Sequence, residues 1–270
     1  MTPAPVPDPG PDLPAALRDG VDARALATAH TESLAGRSYR WRVSREYAAG
    51  SGAFERRIVE RRTVRVAAAT RYLGSRSRLV SETGVTVEIP RSETFADGTT
   101  VYRRVAGPDD ATASYDRWPA AVCAGGEGAT LDAAESMVLR FLTVERATVT
   151  RAETAVGPGF RVVGEGAAHP LLSGVESYRV TATVTPDGTV RSLEATYVRP
   201  DEGPTGARSV AFEYDGVDAT TVDPPWWYDE ARRATGTAAS DGTPPTPTCG
   251  GVDCEQFPGG EAVGEGRCVG

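Results

Sequence analysis

The 270-residue chain contains no lysine and no asparagine, only two isoleucines, one glutamine and two histidines. Each scarcity excludes something. Its 29 arginines are outweighed by 37 carboxylates, for a net charge of −8. An acidic chain without lysine or an evident aromatic stacking platform is a poor nucleic-acid binder. No stretch of 18 apolar residues occurs, so no transmembrane helix is written into it. The opening residues 1–11 alternate with proline and have neither the basic nor the apolar region of a signal peptide. Leu, Ile, Val and Phe together number 49, close to the level at which disorder is suspected, yet the net charge is too small to keep the chain expanded. Lys, Asn and Ile have AT-rich codons, so their loss suits a GC-rich genome; an acidic, lysine-free surface equally suits a protein soluble in concentrated salt. Neither reading names an activity.

What is abundant is valine and threonine, 29 of each against 12 leucines. Branched side chains lose rotamer freedom in a helix and fit a pleated surface, so the composition favours β structure. Between Ser38 and Tyr47 the pattern is strictly two-fold: Tyr39, Trp41, Val43 and Tyr47 fall on one side, Arg40, Arg42, Ser44 and Glu46 on the other. Further strands are predicted at 54–69, 71–82, 85–95 and 99–106, with Asp97-Gly98 as a hairpin turn. The clearest hairpin joins 178–185 to 189–198 through Pro186-Asp187-Gly188. A last strand runs over 208–214, with 220–222 as its continuation. Two helices are expected: 22–35, capped by Asp22 and stopped at Gly36, and 129–144, with a stripe of Leu131, Ala134, Met137, Val138, Phe141 and Leu142. The predicted fold is α+β, mainly antiparallel: a strongly curved sheet or half-open barrel with both helices on its concave side. Residues 1–20 read as a Pro-rich tether, 21–233 as one folded domain and 234–270, where 13 of 37 residues are Gly or Pro, as a flexible tail.

Catalytic patterns are missing. His30 sits on a helix face where a packed, hydrogen-bonded ring is the ordinary outcome, and His169 precedes Pro170 in a loop. Ser173 lies in Leu-Leu-Ser-Gly, which is not a nucleophile elbow. No enzymatic activity, catalytic residue, cofactor or metal is expected. The acidic pairs Asp109-Asp110 and Asp201-Glu202 sit beside turn residues without the spacing of a calcium loop. Cys123, Cys249, Cys254 and Cys268 lack the paired knuckles that zinc favours. A disulfide suits them in an oxidising compartment, with three possible pairings; free thiols in a loose tail and a metal site stay open.

Charge is unevenly laid out. Residues 37–78 carry 12 arginines and three acids, so this stretch is +9 and the remainder −17. Arg40 and Arg42, with Arg57, Arg61 and Arg65 on the next strand, form a basic sheet surface that could meet anionic headgroups; neutralisation by neighbouring strands is the alternative. The opposite, inward face gathers Tyr39, Trp41, Val43, Tyr47, Val64, Val66, Met137, Phe141, Tyr178, Val180, Leu193, Tyr197, Phe212 and Tyr214. These residues line either a ligand cavity or a filled core.

Several segments carry a family resemblance: Ala29-His30 followed by Leu34 and Ser38-Tyr39, the central run Phe95 to Arg103, and the closing Val222 to Trp226. Over about residues 21–230 the chain resembles a haloarchaeal family of surface lipoproteins, and more remotely the LolA and LppX/LprG lipid-binding proteins. The resemblance implies a half-barrel whose cavity holds an apolar, lipid ligand under a helical lid, on the outer face of the cell membrane. It also implies a lipid anchor, if the true start lies upstream of Met1, because no lipobox cysteine is present. A ligand-free structural or interaction domain of the cell envelope, with a filled core, is the second expectation.

Overall fold

The structure, a computed structural model, describes residues 13–51, 54–107, 112–120, 127–154, 157–200 and 206–236. The two-fold alternation becomes eleven strands: β1 (Tyr39–Ser51), β2 (Phe54–Ala68), β3 (Arg71–Glu82), β4 (Val85–Asp97), β5 (Thr100–Ala106), β6 (Ala113–Pro119), β7 (Val144–Thr154), β8 (Gly157–Ala167), β9 (Glu176–Val184), β10 (Val190–Val198) and β11 (Ala207–Asp215). Three helices accompany them: α1 (Ala23–Leu34), α2 (Glu127–Leu142) and α3 (Tyr228–Gly236). All strands join one antiparallel sheet in the order β6-β5-β4-β3-β2-β1-β11-β10-β9-β8-β7. The chain therefore meanders outward from β1 to β6, crosses over through α2, and meanders back from β7 until β11 pairs with β1.

Ten strand spacings of about 4.8 Å would make a flat sheet about 48 Å wide. Twist accumulated over so many strands bends the two edges round, and the sheet stays open between β6 and β7. α2 packs against α1 and touches both β2 and β10, so the two helices fill the concave side. The fold class is the one expected from the sequence.

Turn chemistry sets the registers. Asp97 accepts the backbone N–H groups of Thr99 and Thr100, each at 2.9 Å, while Gly98 takes φ +111° between β4 and β5. In the β9–β10 turn, Gly188 has φ +89°, and a Cβ there would meet the Ala29 Cβ at 2.9 Å. A side chain at that position would press on α1.

The strands β6, β7 and β8 add to those expected from the sequence, and four further features differ from its expectations or add to them. Residues 220–222 do not extend β11; Val222 is instead buried in a second, smaller core with Phe95, Tyr102, Trp227 and Ala231. α3, which follows the Trp226-Trp227 pair, covers that core. Phe95 and Ala96 are neighbours on β4 and so point to opposite faces, and Ala96 joins the main core while Phe95 joins the second. α3 thus lies on the outer face of β5 and β6. Finally, Ala15–Leu17 forms a 3₁₀ turn with Leu17 buried in the main core, so the end of the lead-in packs on the body.

Candidate functional site

The concave face is the place where the fold assembles the sequence-predicted residues. Asp22 caps α1 by accepting the Ala25 N–H at 2.9 Å, and the helix lays Leu26, Ala27, His30 and Leu34 into the core. From β1 come Tyr39, Trp41 and Val43, from β2 Val64 and Val66, from β9 Tyr178 and Val180, from β10 Leu193 and Tyr197, and from β11 Phe212 and Tyr214. Met137 and Phe141 descend from α2. Thirteen of the fourteen residues predicted on the inward face are thus buried in one cluster. Tyr47 is the exception: it lies half-buried farther along β1, under the Arg208 guanidinium 5.0 Å from its ring centroid.

Within that cluster the aromatic rings are centred on Tyr214. His30 is edge-on to it at 5.1 Å, Tyr39 at 5.3 Å, Phe212 at 5.9 Å, and Trp41 is stacked at 6.2 Å. His30 is wholly buried, and its Nδ1 accepts the Val190 N–H at 3.2 Å. Burial pushes the imidazole down to about 4, against a smaller opposing pull from Asp187, so the ring is neutral at pH 7. Burial likewise drives the Tyr214 phenol far up, with Tyr39 adding to the shift and Arg62 opposing it. Tyr72, on β3, is pushed up to about 12 by burial, again opposed by Arg62. Three polar atoms in this centre have no hydrogen-bond partner: His30 Nε2, Trp41 Nε1 and Tyr214 Oη.

Polar contacts also hold the helices to the sheet. The Ser33 and Thr189 hydroxyls bond at 2.7 Å, and Arg37, just past α1, grips Asp218 with two N–H groups. Tyr178 donates its O–H to the Phe141 carbonyl and pins the end of α2. The sequence missed the contributions of Phe160 and Val162 on β8 and of Val184 and Val190, all buried here; the alternation across residues 157–167 was the available signal.

The outer-face arginines are largely paired. Arg40 bonds Asp215 at 2.6 Å, Arg42 reaches Glu213 and Asp215, and Arg57 meets Glu46 at 2.9 Å. Arg61 and Arg65 are exposed on the same face. A polar cleft of about 570 Å³ opens beside β7–β9, lined by Glu145, Arg146, Glu165, Tyr178 and Arg179 among others; of the predicted inward residues only Tyr178 reaches it. His169 Nδ1 accepts the Leu171 N–H at 3.2 Å, a capping role. Among the described residues no three His, Cys, Asp or Glu side chains gather to hold a metal, and no helix is long and apolar enough to cross a membrane. All four cysteines and the pairs Asp109-Asp110 and Asp201-Glu202 lie outside the described residues.

No family model matches the chain, and no curated protein matches it. Among solved structures, it is similar to a DUF1329 family protein from Desulfovibrio piger, at 7% identity over 79% of this chain and 98% of that one, with a TM-score of 0.27. It is also similar to a LolA superfamily protein from Nitrosomonas europaea, at 10% identity over 76% and 96% of the two chains, with a TM-score of 0.23. Likenesses this distant carry neither fold nor function across, and the chain's own geometry has to supply both.

Proposed function

We propose that this protein is a non-enzymatic carrier or binder of an apolar, lipid-like ligand, which lodges on the concave face of the sheet beneath α1 and α2. One observation carries the reading: the apolar face is continuous from β2 to β10, and among the polar contacts that hold α1 on it are a hydroxyl pair, one bond to His30 and an exposed ion pair. Exchanging helix–sheet contact for acyl-chain contact conserves buried apolar area, worth about 25 cal/mol per Å², so a lid of this kind opens at modest cost. The residues offered for the ligand are the thirteen buried ones from Tyr39 to Tyr214. In this arrangement the helices themselves occupy the face, as they would in a ligand-free state.

The same close packing favours a second reading, a structural envelope domain with a permanently filled core. Native mass spectrometry of protein purified from its own host separates the two: a bound mass in the range of a lipid supports the carrier, and a bare polypeptide under conditions that keep α1 folded rejects it. Location at a membrane surface belongs to the same proposal. Arg61 and Arg65 are the outer-face cations offered for anionic headgroups, since Arg40, Arg42 and Arg57 already hold carboxylates.

A further inference from the structure

A buried donor without an acceptor is rare in folded proteins, because it has given up water and received nothing. Here three occur around one ring. Trp41 is 1% exposed, Tyr214 3% and His30 0%, and Trp41 Nε1, Tyr214 Oη and His30 Nε2 all lack a partner. The proton of His30 can be placed by its other nitrogen: Nδ1 accepts from Val190, so the neutral ring carries its hydrogen on Nε2. An indole N–H and an imidazole Nε2–H are donors only. The set therefore has unused donors and little to accept them. Arg62, half-buried, lies beside this group, its guanidinium 5.6 Å from the Trp41 ring centroid, and it bears electrostatically on both Tyr214 and Tyr72.

We infer that His30, Trp41 and Tyr214 form a polar seat, flanked by Arg62, for the oxygen-bearing head of an apolar chain, either a carboxylate or an ester carbonyl. This rests on the carrier reading and adds a direction to it. The head lies at the centre of the sheet by β1 and β11, and the tail runs under the helices along Leu193 and Ala195 of β10 and Val180, Ala182 and Val184 of β9. The seat excludes cationic heads, which would bring further donors and positive charge to a site already made of both. α1 supplies His30, so the seat is complete only while the helix is down. Its neighbour Ser33 on α1 is tied to Thr189 one residue before Val190, so both contacts act on the same stretch of chain.

The test compares laurate, methyl laurate and dodecane by equilibrium partition onto the full chain, in wild type, Tyr214→Phe and Trp41→Phe. Wild type is expected to hold laurate or methyl laurate at least five-fold tighter than dodecane, and each variant to bring the three within two-fold of one another. Laurate ahead of its ester, with that lead lost in Arg62→Gln, assigns the head as carboxylate; parity of the two assigns the carbonyl. Equal binding of all three by wild type, or preference retained in both variants, overturns the seat and leaves the carrier standing. Failure of all three to bind overturns the carrier. Thermal melting of the ligand-free variants is a separate check: Tyr214→Phe should melt at or above the wild-type temperature, since its hydroxyl bonds nothing. A fall of several degrees would reveal an internal partner such as trapped water, and would overturn the proposal.

Discussion

The two halves of the sheet treat the same concave face differently. Val43 on β1 is the pivot. In one direction its register line continues through Phe212, Leu193, Ala182, Val162 and Val149; in the other it passes through Arg62, Arg76, Ser92, Val105 and Ser114. Apolar residues persist where α1 and α2 cover the sheet, and arginines take over where they do not. An arginine suits that border because its long stem packs on apolar neighbours and its head can still reach polar surroundings; Arg62, half-buried, lays its guanidinium over the Trp41 ring. Farther out, Glu60 is the carboxylate between Arg76 at 3.6 Å and Arg78 at 3.4 Å. At the tip of β4 the face turns apolar again, uncovered: Val85, Val87 and Ile89 are 64%, 53% and 39% exposed. Helix cover thus accompanies the apolar stretch from β2 to β10, and the tip of β4 is a place where apolar residues stand without it.

Substitution along that one register line should break the symmetry most. Phe212→Ala is expected to lose about 3–5 kcal/mol in urea unfolding, the usual result of emptying a packed aromatic site, whereas Arg76→Ala should leave the midpoint close to wild type. Comparable losses at both positions would mean that the uncovered half is as tightly packed as the covered one.

Acid should act on the covered half through His30. Its folded pKa of about 4 lies below the ordinary 6.5, so between those values the unfolded chain binds the extra proton. Stability is therefore full above pH 6.5, falls by about 1.4 kcal/mol per unit as the pH drops toward 4, roughly 3 kcal/mol in all, and changes no further from this source below that. Subtracting the pH–stability curve of His30→Leu isolates the contribution; a flat difference would show that the ring is not buried neutral.

Smaller effects sharpen the same contrast. Asp22→Ala removes the α1 cap and should cost about 1 kcal/mol, read as faster amide exchange along α1 than along α2. At the bare end of β4, Val87→Lys should change stability by less than about 0.5 kcal/mol while lowering any light scattering at high concentration. Among the described residues β4 meets β5 only from Arg91 onward, so Val85–Pro90 has no described strand partner on that side.

Long alternating runs were legible in the sequence because a period of two survives when one face is buried and the other wet. β1 and the β9–β10 hairpin are of this kind. β6 escaped notice because Tyr115 and Trp118 face opposite sides and pack on different cores, with exposed residues between them, so no one-sided alternation remains. α3 escaped because its sequence is polar all round except at Ala231, buried beside Trp227; the acids Asp229 and Glu230 in its first turn and Arg233 in its last were the readable signs of a helix. At the candidate site, the pattern identified which residues turn inward, but only the three-dimensional arrangement shows three donors left without acceptors around Tyr214. Nor could the charge count reveal that Arg62 faces inward while Arg61 faces out.

The junction of β1 with β11 joins residues as far apart as Arg40 and Asp215, 175 positions along the chain. Each meander is local and can zip from its own turns, yet the seam between them must wait until nearly the whole body has been synthesised and α2 has swung across. The middle of the sheet is thus expected to be the last part to close during biogenesis. Until it does, Trp41 and Tyr214 stand on two open strand edges, which makes this seam the point at which a newly made chain would most need a chaperone.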